Sequence, residues 1–174
     1  MKKACISLLI FLIIILSFIG VYISSESSPK KEYLRIHVRA NSNLSIDQDV
    51  KYLVKDAVVE YLAPFISKCD TREKAKAMLK NNLDDVERVA KGVLEKNGFT
   101  YGAKASLRTE EFPERKYGDL TLEQGFYEAL ILELGEANGN NWWCVVYPPL
   151  CFVGDGVGYK YKSKIIEIIN DFFN

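Results

Sequence analysis

The 174-residue chain contains a single histidine, His37. Hydrolysis by an activated serine or cysteine needs a base within reach, so this scarcity leaves one ready-made candidate. A zinc site of histidine and cysteine has too few ligands to draw on, and no metal is expected. Nor is either sign of charge in excess: 23 Lys and Arg balance 23 Asp and Glu. That balance gives no electrostatic footprint for nucleic acid. The chain also lacks a phosphate loop, a dinucleotide fingerprint and a helical metal-binding motif, so no cofactor is expected. Asp119 and Glu123 could be imagined as a carboxylate pair for glycoside cleavage, but nothing in the sequence fixes their separation. No residue is assigned as catalytic.

What the sequence does have is a long apolar run. After Met1, Lys2 and Lys3 comes an uncharged stretch from Ala4 to Ile23, about 20 residues and long enough to cross the hydrocarbon of a bilayer as a helix. Basic residues before it predict a cytoplasmic N-terminus and translocation of the rest. Residues 1–23 are thus a signal peptide or a membrane anchor. Ser17-Phe18-Ile19-Gly20 makes a poor cleavage site, which favours the anchor. A Ser- and Pro-containing linker reaches residue 32, residues 33–153 form one extracytoplasmic globular domain, and residues 154–174 are a glycine-rich linker with a C-terminal amphipathic helix.

Within the domain, Leu34, Ile36 and Val38 alternate with Arg35, His37 and Arg39, predicting a strand with one dry and one wet face. On the wet face His37 reads as a solvated or hydrogen-bonded residue. Ser45 with Gln48 reads as a capping box that opens a helix. At helical spacing, Ile46, Val50, Leu53, Val54, Ala57 and Tyr61 form its core-facing stripe, with Asp47, Lys51 and Lys55 outside, Val59 and Leu62 in further core contact, and Pro64 at the end. Asp70 with Glu73 caps a short second helix. Leu83, Val86, Ala90, Val93 and Leu94 mark a third, stopped at Asn97-Gly98. Asp84 with Arg88 and Glu87 with Lys91 are its expected ion pairs.

The period returns to two at Ala103, Ala105 and Leu107, and again from Phe126 to Leu134, where both faces are apolar. Asn138-Gly139 then predicts a hairpin that pairs this strand antiparallel with Trp142–Tyr147. Ile165, Ile166, Ile168, Ile169, Phe172 and Phe173 recur at helical spacing in a final segment that either docks on the domain or lies on the membrane. Runs of helices and strands segregated in this way predict an α+β fold, a mostly antiparallel sheet with helices packed on one face.

Adjacent Trp142 and Trp143 should point to opposite faces, with the outward ring available to a partner. Cys144 and Cys151 either oxidise to a disulfide in an extracytoplasmic setting, with Pro148-Pro149 turning the chain back between them, or remain buried free thiols.

Ile36-His37-Val38-Arg39-Ala40-Asn41-Ser42 and Asp47-Gln48 through Val58 resemble the opening motif of the stage II sporulation protein R family. Phe112 to Leu120, and Asn141-Trp142-Trp143-Cys144 through Pro148-Pro149-Leu150-Cys151-Phe152, resemble its later segments in the same order. Asn140, where histidine is expected, and Tyr147, where phenylalanine is more usual, depart from the pattern. The resemblance implies a sporulation signalling protein, exported across the forespore membrane into the intermembrane space. There it would activate a membrane-embedded aspartic protease of the mother cell, which processes an early pro-sigma factor. Its candidate partner-binding residues are His37, Arg39, Asn41, Asp47, Arg115, Asp119, Trp142 and Trp143. The alternatives are an exported hydrolase acting on cell wall and a carbohydrate-binding module that uses an exposed tryptophan.

Overall fold

A computed structural model describes residues 33–118, 120–153 and 159–173, the last with side chains from Ile165 onward. The predicted membrane or signal helix, the linker, Asp119 and the glycine-rich run 154–158 lie outside the described residues. Among the described residues no helix is long and apolar enough to cross a membrane.

The elements run β1 (Leu34–Arg39), α1 (Ser45–Ile66), α2 (Arg72–Asn81), α3 (Leu83–Lys96), β2 (Ala103–Phe112), β3 (Arg115–Tyr117), β4 (Leu120–Leu122), β5 (Gly125–Leu134), β6 (Asn141–Tyr147), a short 3-10 turn (Leu150–Phe152) and α4 (Tyr159–Phe173). The fold is α+β, with a four-stranded sheet in the order β2-β5-β1-β6. β1 is parallel to β5 and antiparallel to β6. The sheet is therefore mixed, which corrects the mostly antiparallel sheet expected from sequence. A parallel neighbour requires a long crossover, and the helices after β1 supply it.

Residues 111–126 form a compact unit of their own. In it β3 and β4 pair antiparallel across a turn where Gly118 has a φ of +60°, and Phe112 and Leu122 are buried.

The predicted β5–β6 hairpin does not form, because β1 lies between the two strands. Residues 135–140 instead cross the end of β1. Asn138 N–H donates to the Asn41 carbonyl at 3.1 Å, and Gly139 N–H to that of Ala40 at 2.9 Å. A Cβ on Gly139 would stand 2.2 Å from the Ser42 carbonyl oxygen, so the crossing needs glycine there.

Helix α1 is turned from its predicted phase. Val50, Val54, Val58, Val59 and Leu62 are buried, but so are Asp47 and Lys51, whereas Ile46 and Leu53 are exposed. With 3.6 residues per turn, the buried arc is rotated by roughly a quarter of a turn from the expected stripe. Both buried polar groups are satisfied: Lys51 Nζ donates to Gln48 Oε1 at 2.7 Å and to the Asn140 carbonyl at 3.2 Å, and Asp47 accepts several bonds described below. Pro64 sits inside the last turn, and the helix continues to Ile66.

The cap of α2 is Thr71 rather than Asp70: its hydroxyl accepts from Lys74 N–H. α3 buries Val86, Ala90 and Leu94 and stops at Gly98, which has a φ of +81°. Its ion pairs are Arg88–Asp85 and Lys91–Glu95 rather than the expected ones. Glu87 instead accepts from Ala105 N–H on β2. α4 docks on the domain: Ile165 and Ile168 are buried, and the Phe172 ring lies 5.8 Å from those of Tyr33 and Tyr147.

Candidate interaction surface

Strand β1 places its polar side chains on one face and Leu34, Ile36 and Val38 on the other, as alternation requires. The polar face is not wet. Arg35 is fully buried with its guanidinium 4.9 Å above the Tyr127 ring, and His37 is only 4% exposed. Expecting a solvated face was wrong because large rings and carboxylates from β2, β5 and β6 share it.

The His37 ring stacks on Trp143 with centroids 5.4 Å apart and planes at 27°. Its Nδ1 is 3.0 Å from Glu110 Oε2, so the proton sits on Nδ1 facing the carboxylate. Burial lowers the His37 pKa below its ordinary value, with Arg39 adding to the effect and Asn141 and Glu110 opposing it. Arg39 donates to both oxygens of Glu110, at 3.0 and 2.9 Å, and to Glu133 at 3.2 Å. Arg108 bridges the same two carboxylates, at 2.7 Å and 2.9 Å from its Nη2. Burial would raise the Glu110 pKa, but Arg108, His37 and Arg39 outweigh it and hold the carboxyl below its ordinary value. The result is a ladder of alternating charge across β2, β5 and β1, each rung made by residues that meet only because the strands pair.

A second network closes the β1–α1 junction. Asp47 Oδ2 accepts from Asn41 Nδ2 at 2.9 Å and from Ser42 Oγ at 2.5 Å, while its Oδ1 accepts from the Tyr101 hydroxyl at 2.6 Å. Burial pushes the Asp47 pKa up, yet the bonds from Ser42, Tyr101 and Asn41 win and leave it lowered. Burial and the Asp47 carboxylate together push the Tyr101 pKa well up. Asn41 Oδ1 also accepts from Glu136 N–H at 2.9 Å, tying the crossing loop to the same junction.

The predicted capping box is corrected here. Leu44 is the N-cap and no side chain caps it, so Ser45 plays no part. Gln48 instead donates through Nε2 to the Ser42 carbonyl at 2.8 Å, and Leu44 N–H donates to Ser42 Oγ at 3.1 Å. The polar residue that organises the turn is Ser42, placed one turn earlier than the motif implied.

The structure thus brings His37, Arg39 and Trp143 onto one sheet face and Asn41, Asp47 and Gln48 into the junction. Trp142, paired with Val38, occupies the opposite face, where the Lys55 ammonium of α1 lies 5.4 Å from its ring. Both tryptophans are half-buried and point apart, which gives no pair of parallel exposed rings for a sugar. Arg115 belongs to the β3–β4 unit and is exposed; Asp119 lies outside the described residues. Cys144 and Cys151 are joined by a disulfide with Cα atoms 5.9 Å apart. Sequence reasoning missed Glu110, Arg108, Glu133 and Tyr101. The i,i+2 pair Arg108 and Glu110 on one strand face was the available signal. Among the described residues no cluster of side chains could hold a metal ion.

Fold and site together define an α+β domain whose polar residues are tied into two internal networks on and beside a mixed sheet. The chain matches the family described as stage II sporulation protein R (spore_II_R) over residues 30–156, and it belongs to that family. It is 29% identical to stage II sporulation protein R of Bacillus subtilis (strain 168), an alignment covering 94% of this chain and 77% of that protein. No solved structure matches.

Proposed function

We propose that the chain is an exported sporulation signal that activates a membrane-embedded aspartic protease of the mother cell, which then processes an early pro-sigma factor. The observation that carries this reading is the family match, which spans nearly all of the described domain. The apolar run from Ala4 to Ile23 supports delivery across the forespore membrane into the intermembrane space, with the chain anchored or released there. The disulfide is in keeping with an extracytoplasmic destination.

A non-enzymatic role is supported by the setting of the one histidine. A general base must reach the proton it abstracts. His37 is stacked under Trp143, occupied at Nδ1 by Glu110 and almost wholly buried.

The test is to express the full chain with the candidate protease and its pro-sigma substrate in a non-sporulating host and to follow loss of the pro-sequence. Processing that depends on the chain is expected. Processing that proceeds equally well without it, or not at all with it, overturns the proposal.

A further inference from the structure

Helix α1 carries more apolar side chains than its buried face accommodates. Leu44, at its N-cap, is 66% exposed, Ile46 57%, Tyr52 48% and Leu53 49%. The other large apolar side chains exposed among the described residues are Ile166 and Phe173, on α4. At 3.6 residues per turn, Ile46, Asp49, Tyr52, Leu53, Asp56 and Glu60 fall within an arc of about 120°. Val54 and Val58 lie toward the opposite side, buried beneath the helix.

The charge on that outward arc has one sign. Asp49, Asp56 and Glu60 are exposed, and no ion pair is formed by Asp49 or Glu60 among the described residues. The cations of this helix segment reach the strip only at Tyr52, where the Lys51 ammonium lies 4.6 Å from the ring, and at Asp56, which pairs with Lys55. Lys51 is buried and bonded to Gln48 and Asn140. Lys55 is drawn to Asp56 and to the Trp142 ring, with 21% of its side chain exposed. An apolar strip flanked by the carboxylates of Asp49 and Glu60, which no cation neutralises among the described residues, repels an anionic lipid surface and a second identical strip alike, and it complements apolar side chains flanked by cations.

We propose that this outward face of α1 is the docking surface for the partner protein, and that it takes a partner segment whose apolar side chains are bordered by Lys or Arg. The inference rests on reading the chain as an activating ligand. Ile46 and Leu53, one heptad apart on the same line, are the anchors in this arrangement, as in other helix-in-groove contacts. Asp49 and Glu60 set its register.

The experiment uses the full chain in sporulating cells. The variants are Ile46→Ser with Leu53→Ser, and Asp49→Lys with Glu60→Lys. All four positions are exposed, and the thermal midpoint of each variant should stay within about 2 °C of the parent. Processing of the pro-sigma factor should fall roughly 10-fold or more for the serine pair, the scale of losing an interface anchor. It should also fall for the lysine pair, and return when Lys or Arg of the partner segment is changed to Glu. A photo-crosslinking residue at Leu53 should label a partner segment containing both apolar and basic residues.

Undiminished processing by the folded serine pair overturns the surface while leaving the proposed function standing. Crosslinks to lipid, to a second copy or to a segment without Lys or Arg overturn it as well. Should the unaltered chain fail to trigger processing, the proposed function falls. The surface is then decided by the crosslinked segment alone.

Discussion

The carboxamide of Asn41 donates to the Asp47 carboxylate at 2.9 Å, and through that bond the end of β1 is fixed to the start of α1. Asp47 also accepts from Ser42 and Tyr101, so a buried charge holds three segments together. Replacing Asp47 by alanine leaves those donors without their acceptor. The expected cost is about 2 to 3 kcal/mol, read from the urea midpoint, because hydrogen bonds to a buried charge exceed neutral ones. The Asp47 pKa is lowered in the folded state. Its contribution is therefore complete above the unfolded carboxylate pKa and disappears as pH falls through the folded one. A variant that unfolds at the parent midpoint would refute the junction's structural role.

Gly139 is expected to resist substitution. A methyl group there meets the Ser42 backbone rather than a movable side chain, and forcing such an overlap costs about 1 to 3 kcal/mol. Gly139→Ala should lower the thermal midpoint, whereas Gly92→Ala, which has open space around it, should not. Equal midpoints for the two variants would count against the crossing-loop geometry.

His37 should give the domain a pH response. Its folded pKa lies below the ordinary imidazole value of 6.5 because burial disfavours the imidazolium. As pH falls past 6.5, the unfolded chain takes up the proton first, so stability is full above that point and declines below it. Between pH 7 and 5 the thermal midpoint of the parent should fall more steeply than that of His37→Gln. Parallel slopes would show that another group governs this window.

The Cys144–Cys151 disulfide closes a short loop around Pro148 and Pro149. Such a loop stabilises by less than the roughly 3 kcal/mol expected for 15 residues. Cys144→Ser and Cys151→Ser should consequently reduce pro-sigma processing by a larger factor than they change the folding equilibrium. A drop in activity fully accounted for by loss of folded protein would argue for a purely structural bridge.

Delivery is testable on its own. A chain lacking residues 1–23, made only in the forespore, should fold but leave the protease silent, because the apolar run proposed to deliver it is gone. Normal processing from that chain would remove the leader from the mechanism.

Much of the fold was legible where the signal is local. The dry face of β1, the stripe of α3 and the stop at Gly98 each follow from a few neighbouring residues. The phase of α1 was not, because Asp47 and Lys51 look like solvent-facing residues until their partners are known. Tyr101 lies 54 positions from Asp47 and Asn140 lies 89 from Lys51, beyond any periodicity. Asn138-Gly139 carried a sound turn signal, but the turn spans an intervening strand. Whether two strands at a turn become neighbours depends on what the rest of the chain inserts between them. The Ser45–Gln48 motif misled for a smaller reason: Ser42, able to reach both the turn and Asp47, took over the polar work. Beyond the Arg108 and Glu110 spacing on one strand, the ionic ladder was not legible because its members come from three strands whose order no single segment encodes.

The insertion of β1 between β5 and β6 orders events in time as well as in space. His37 pairs with Ile131 on one side and Trp143 on the other, so the central position of the sheet is filled by its earliest segment and flanked by its latest. During synthesis or passage through a membrane, Leu34–Arg39 emerges about a hundred residues before both of its neighbours are present. Sheets that depend on such distant pairings form slowly, and an apolar strand with two open edges is prone to wrong partners meanwhile. If the chain is exported N-terminus first, as proposed, it crosses before it can complete its sheet, and the folded domain exists only once its C-terminal third has followed.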